Sequence, residues 1–200
     1  MRISRHTSWF VWIVLLVTLS SCSTRRSDES LLRDEFEIPV GAEIVNYAAF
    51  PEQAGWFGRE GLKIDITFQL ADGEFNEYVA RAAASTKWKP LPIPEEFLRR
   101  MAAIETVKKS RIQSYQMRGE VFPPEGSVYN PTEQQMLESF INSLPPQPAE
   151  GLFQIRTAGT DIMHAPKSVY ETPDRDLNDF MLIMLDNHQK QIIIKVSTSY

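Results

Sequence analysis

The sequence predicts an α+β fold, an antiparallel sheet of about four to five strands with helices packed on one face, and three observations lead there. A run of strict two-residue alternation stands early in the chain. Two apolar runs joined by a polar turn stand near its end. Segments of helical periodicity are gathered between them. Strands, then helices, then strands, without strand–helix–strand alternation, is the order of an antiparallel sheet rather than a doubly wound parallel one.

Each element has its own reason. A short strand is expected around Glu43 to Ala48. From Leu62 to Leu70, Leu62, Ile64, Ile66, Phe68 and Leu70 alternate with Lys63, Asp65, Thr67 and Gln69, which gives a strand with one buried and one wet face. Between these two lies PEQAGWFGREG, a loop holding the aromatic pair Trp56 and Phe57 between glycines. Asp72 can cap a helix over Gly73 to Ala84, where Phe75, Tyr78, Val79 and Ala82 form a stripe at helical spacing. The segment TKWKPLPIP ends it. Pro94 suits a first helical position, and Phe97, Leu98, Met101 and Ala102 give a second stripe.

Further on, Asn130-Pro131-Thr132-Glu133 reads as N-cap, first-turn proline and capping glutamate. Met136, Leu137, Phe140, Ile141 and Leu144 then pack a third helix, which stops at Pro145-Pro146. Leu152 to Thr157 alternates modestly as a strand. Phe180 to Leu185, FMLIML, is apolar on both faces, as a central strand would be. Asp186 to Lys190 is a turn, and Gln191 to Thr198 returns as the hairpin partner. Thr106 to Val128 carries no pattern that assigns it.

The first residues have a different character. Met1 to His6 carries Arg2 and Arg5 and no acid. Trp9 to Leu19 is an apolar run of about eleven residues, broken only by Thr18. A membrane-spanning helix needs about 20 apolar residues, whereas a charged start, a short apolar middle and small residues describe a secretory signal. The run closes on Leu19-Ser20-Ser21-Cys22, and Cys22 is the only cysteine. This pattern resembles the lipobox of bacterial lipoprotein precursors. The resemblance implies diacylglyceryl transfer to the Cys22 sulfur, cleavage between Ser21 and Cys22, and acylation of the new N-terminus. Two or more acyl chains would give stable attachment, where one gives only marginal binding. Ser23, rather than an aspartate, follows the cysteine. In a Gram-negative source that implies the periplasmic face of the outer membrane, and in a Gram-positive source the outer face of the cell membrane.

The expected organisation is therefore a signal peptide over residues 1–21, a lipidated cysteine and polar tether over 22–35, and a single α+β domain over 36–200. A dozen flexible residues would hold the domain only about 20 Å from the lipid. Cleavage would leave 179 of 200 residues and remove Arg2 and Arg5. That leaves 19 basic against 26 acidic side chains, a net charge of about −7. This suits a soluble chain, and no nucleic-acid partner is expected. From Lys87 to Arg118, eight basic residues face three acidic ones, a belt of about +5. It is expected to answer the protein's own acids or stay solvated. The alternative is that it faces anionic head groups, cell-wall polymer or a partner.

Chemical motifs are scarce. With Cys22 lipidated no thiol remains, which excludes disulfides, cysteine nucleophiles and thiolate metal sites. His164 and His188 follow Asp161 and Asp186 at spacings of three and two. No metal site and no cofactor is expected from them, and His188 falls at the tip of a turn. There is no G-x-S-x-G elbow. Gly126-Ser127 lies in a Pro/Gly-rich loop, and no glycine-rich phosphate cradle follows a strand. Glu74 with Glu77, or Asp174 with Asp176, are carboxylate pairs in name only, so no catalytic residue is assigned. Trp56, Phe57 and Trp88 sit in loops, where they can form a contact surface or cover the edge of the core, and the cover is expected first. The leading expectation is a membrane-anchored envelope lipoprotein, a non-enzymatic binding or accessory module with a protein or cell-wall partner. Alternatives are an envelope hydrolase with a carboxylate-based site, or an inhibitor or immunity-type lipoprotein.

Overall fold

The structure, a computed structural model, describes residues 28–51, 62–157, 177 and 179–198. The chain divides into two units between Val40 and Gly41. The first contains helix α1, residues 28–36, with Leu32 and Phe36 buried one turn apart. Within it Arg33 pairs with Glu29 at 2.8 Å and also donates to the Pro39 carbonyl at 3.1 Å. Most of the stretch expected as a polar tether is thus helical, because Leu32 and Phe36 give that charged segment an apolar side. Cys22, Trp56 and Phe57 lie outside the described residues.

The second unit is an α+β arrangement on a six-stranded sheet. Its strands are β1 (Glu43–Pro51), β2 (Leu62–Gln69), β3 (Lys89–Pro90), β4 (Gly151–Arg156), β5 (Phe180–Asp186) and β6 (Gln191–Ser197). They lie in the order β1-β2-β6-β5-β4-β3, and every pairing is antiparallel. The expected four to five strands become six. The addition is β3, a two-residue strand inside TKWKPLPIP that pairs Lys89 with Phe153 and Pro90 with Leu152. Proline is tolerated there because β3 is an edge strand, with no further ladder to donate to.

Four helices complete the unit: α2 (Asp72–Ala83), α3 (Glu95–Met101), α4 (Ile104–Arg118) and α5 (Glu133–Ser143). Phe97, Leu98 and Met101 of α3, Ile104 of α4 and Leu137 of α5 join Phe153, Ile155, Phe180, Leu182 and Met184 in one core cluster. The other face is buried as well. Met181, Ile183 and Leu185 of β5 register with Val196, Ile194 and Ile192 of β6, which in turn register with Ile64, Ile66 and Phe68 of β2. All nine are at most 2 % exposed. The buried stripe of α2, formed by Phe75, Tyr78 and Ala82, stands outside the α3–α5 cluster. FMLIML is apolar at every position because both sides of β5 are enclosed, as a central strand requires.

Capping at α5 also differs from expectation. Thr132, not Asn130, is the N-cap. Its hydroxyl accepts from the Gln135 amide, while the Gln135 side chain accepts from the Thr132 amide. Asn130 is instead buried, donating from Nδ2 to the Pro123 carbonyl at 2.8 Å. At α2 the N-cap is Ala71, without a side-chain cap, and Asp72 is the first helical residue. The unassigned region after Thr106 is mostly α4, fifteen residues long with only Ile104 buried.

Candidate functional site

Strand β2 has one wet face and one sealed face. Lys63, Asp65, Thr67 and Gln69 are all half-buried, while Ile64, Ile66 and Phe68 on the opposite face are sealed. Helices α3–α5 cover the sheet over β4 and β5, and their cluster reaches only the Ile193 side of β6. The polar face of β1, β2 and β6 is left to form the floor of a groove of about 680 Å³. Asn46, Asp65, Thr67, Gln191 and Ile193 line that floor. Residues 143–149, SLPPQPA, and the β5–β6 turn form its walls.

Each wall is held by a specific contact. The Gln147 side-chain oxygen accepts from the Ile93 amide at 3.1 Å, which fixes the proline-rich segment against the start of α3. Prolines keep φ near −65° and present no amide hydrogen, so this wall is stiff and shows few donors of its own. At the other wall, Asp186 Oδ1 accepts from the amides of His188 and Gln189 at 2.8 and 2.9 Å, closing the turn. The Gln69 amide group donates to the Gln189 carbonyl at 2.8 Å, and Gln191 donates to Gln69 at 3.0 Å. The turn is thereby tied to the end of β2.

One charged pair lies at the floor. Asp65 and Lys195 face each other across the β2–β6 ladder, and Lys195 Nζ meets Asp65 Oδ2 at 2.9 Å. Lys195 is almost fully buried, while Asp65 keeps a quarter of its side chain exposed. Asp65 Oδ1 is buried without a hydrogen-bond partner. Both carboxylates of the groove therefore have structural duties: Asp65 balances Lys195, and Asp186 holds the turn. What remains toward the groove is a set of amides and a hydroxyl from Asn46, Thr67, Gln189 and Gln191, with the His188 imidazole, beside proline rings. Such a surface can hold a polar molecule by hydrogen bonds and van der Waals contact.

The residues singled out from sequence fall in different places. His188 lies in the turn as expected and lines the groove. Trp88 is half-buried away from it, with its ring edge-on to Tyr78 at 6.3 Å. Glu74 and Glu77 are exposed on α2. Asp161, His164, Asp174 and Asp176 lie outside the described residues. Among the described residues, no three of His, Cys, Asp and Glu converge as metal ligands would, and no helix is long and apolar enough to cross a membrane.

Much of the basic belt is answered internally. Arg99 bridges to Glu95 and Glu133, Lys108 to Glu133 and Glu125, and Arg118 to Glu120, while Lys89 sits 5.3 Å from the Phe97 ring centre. The groove residues Asp65, Thr67 and Gln191 were missed from sequence, although the alternation had marked the polar face of β2. Pro145 and Pro146 were legible as a helix stop but not as a wall. No family model, no curated protein and no solved structure matches the chain.

Proposed function

We propose that this chain is a membrane-anchored envelope lipoprotein, a non-enzymatic binding or accessory module that holds a polar ligand in the groove between the open sheet face and residues 143–149. The groove carries the binding role: its hydrogen-bonding side chains converge on one concavity while its two carboxylates are already committed to Lys195 and to the turn. The Leu19-Ser20-Ser21-Cys22 pattern supports the anchor and, with Ser23, the periplasmic face of the outer membrane in a Gram-negative cell.

The test uses the full chain as bait in an envelope extract, beside a Thr67→Arg variant that fills the groove. The wild type is expected to retain an envelope component and the variant to lose at least roughly ten-fold of it, the scale of one well-placed contact set. Equal recovery by both, or turnover of an envelope substrate by the wild type, defeats the reading. Fatty-acid labelling of the wild type against Cys22→Ala reads the anchor separately, with label expected only in the wild type.

A further inference from the structure

A second surface, between α4 and the turn before α5, presents apolar side chains in a fixed frame. Val128 and Tyr129 are the two central residues of a tight turn closed by a bridge between Ser127 and Asn130. The Asn130 amide donates to the Ser127 carbonyl at 3.0 Å, and the Gly126 amide to the Asn130 carbonyl at 2.7 Å. Buried Asn130 locks the base through Pro123. Turn tips ordinarily carry Gly, Asn or Asp. This one holds valine at 91 % exposure and tyrosine at 70 %.

The turn does not stand alone. Val128 and Tyr129 share a shallow cavity of about 350 Å³ with Ser110, Arg111, Tyr115 and Arg118 of α4. Met117, 74 % exposed, lies on the same helix. Arg118 is partly answered by Glu120 at 2.9 Å and stacks over Tyr115, and Glu125 is drawn to Lys108. Arg111 has no acidic partner within 4.0 Å among the described residues. An arginine beside serine hydroxyls suits a phosphate oxygen, and exposed valine and tyrosine beside it suit the boundary between head groups and acyl chains.

We propose that this face, formed by Arg111, Tyr115, Arg118, Val128 and Tyr129, docks on a bilayer carrying anionic phospholipid. The proposal rests on the anchored reading above, which supplies the reason for choosing a membrane over a protein partner. Only eighteen residues separate Cys22 from Gly41, a reach below about 65 Å even if fully extended. A lipid on Cys22 would keep the second unit within that distance of the bilayer, so weak contacts at a basic and apolar face would be populated by effective concentration.

Because Cys22 is the only cysteine, a spin label on Val128→Cys reports this face alone once Cys22 is acylated. The processed full chain is reconstituted in vesicles of phosphatidylethanolamine with 30 % phosphatidylglycerol, and in vesicles of phosphatidylcholine. Flotation reads the anchor, and relative collision with oxygen and with a water-soluble nickel chelate reads the face. The label is expected to be shielded from the chelate in phosphatidylglycerol vesicles, with shielding falling about five-fold in Arg111→Gln, the scale of one surface cation at an anionic leaflet. A Glu77→Cys label on α2 is expected to stay in water. A chain that floats while its Val128→Cys label stays in water overturns the docking face and leaves the anchor standing. Equal shielding on phosphatidylcholine, or shielding that needs an added envelope protein, also overturns it. A chain that does not float overturns the anchored reading, and the docking face falls with it.

Discussion

Gly151 opens β4 opposite Asp186, with φ at +152°, and a Cβ built there would collide with the Leu185 carbonyl oxygen. That close approach lets β4 lie against the central strand. Gly151→Ala is expected to cost roughly 3 kcal/mol through strain and overpacking, read as a fall in Tm of roughly 10 °C for a chain of this size. An unchanged melt would show that β4 can shift without loss. Asp65 and Lys195 make a different argument. Removing one partner strands a buried charge, which costs about 3–5 kcal/mol when both are fully enclosed. Asp65 is a quarter exposed, so about 2 kcal/mol is expected for Lys195→Met alone. The double change Asp65→Leu with Lys195→Met should recover most of it. Urea unfolding of the wild type, Asp65→Leu, Lys195→Met and the double variant measures the coupling, and additive losses would mean the pair is not a unit.

Between elements, Lys108 of α4 and Glu133 of α5 carry the clearest electrostatic link. The hydrogen bond from Lys108, at 2.9 Å, and then its charge hold the Glu133 carboxyl below its ordinary 4.5. The same bond, followed by the attraction of Glu133 and Glu125, outweighs desolvation and holds Lys108 above its ordinary 10.5. A depressed carboxyl contributes stability above its unfolded value and loses it as pH falls through the folded one. A raised amine contributes below its unfolded value and loses it as pH rises through the folded one. The link therefore operates across the neutral range. Thermal melts of the wild type and Glu133→Gln should differ slightly at pH 7 and draw together as pH falls below 4.5, whereas a difference that does not shrink with acidification would assign the effect to packing. Helix α4 also shows why element-level reading failed between Thr106 and Val128. With only Ile104 buried, no stripe marks the helix. Its end is set by Gly119, whose left-handed φ of 68° lets the Gly119 and Glu120 amides return to the Gln116 and Tyr115 carbonyls. A glycine after a polar run is a weak signal without periodicity before it.

At the scale of the whole molecule, charge and apolar pattern did different work. The alternation of Leu62 to Leu70, the unbroken FMLIML run and the turn at Asp186 to Lys190 are local, and the sequence by itself determined them together with the stripes of α2, α3 and α5. Each reflects the need of one segment to place its own apolar side chains out of water. Only the tertiary structure decided which segments cover β5, that β3 forms, and that the polar face of β2 meets residues 143–149 to make a groove. Those outcomes depend on which distant segments share a face. Asp65 is 130 residues from Lys195 and about 80 from Pro145, and Val128 is 17 from Arg111. The reason is physical: periodicity reports a segment's own hydration preference, whereas a site is a coincidence of segments that no single stretch of sequence encodes.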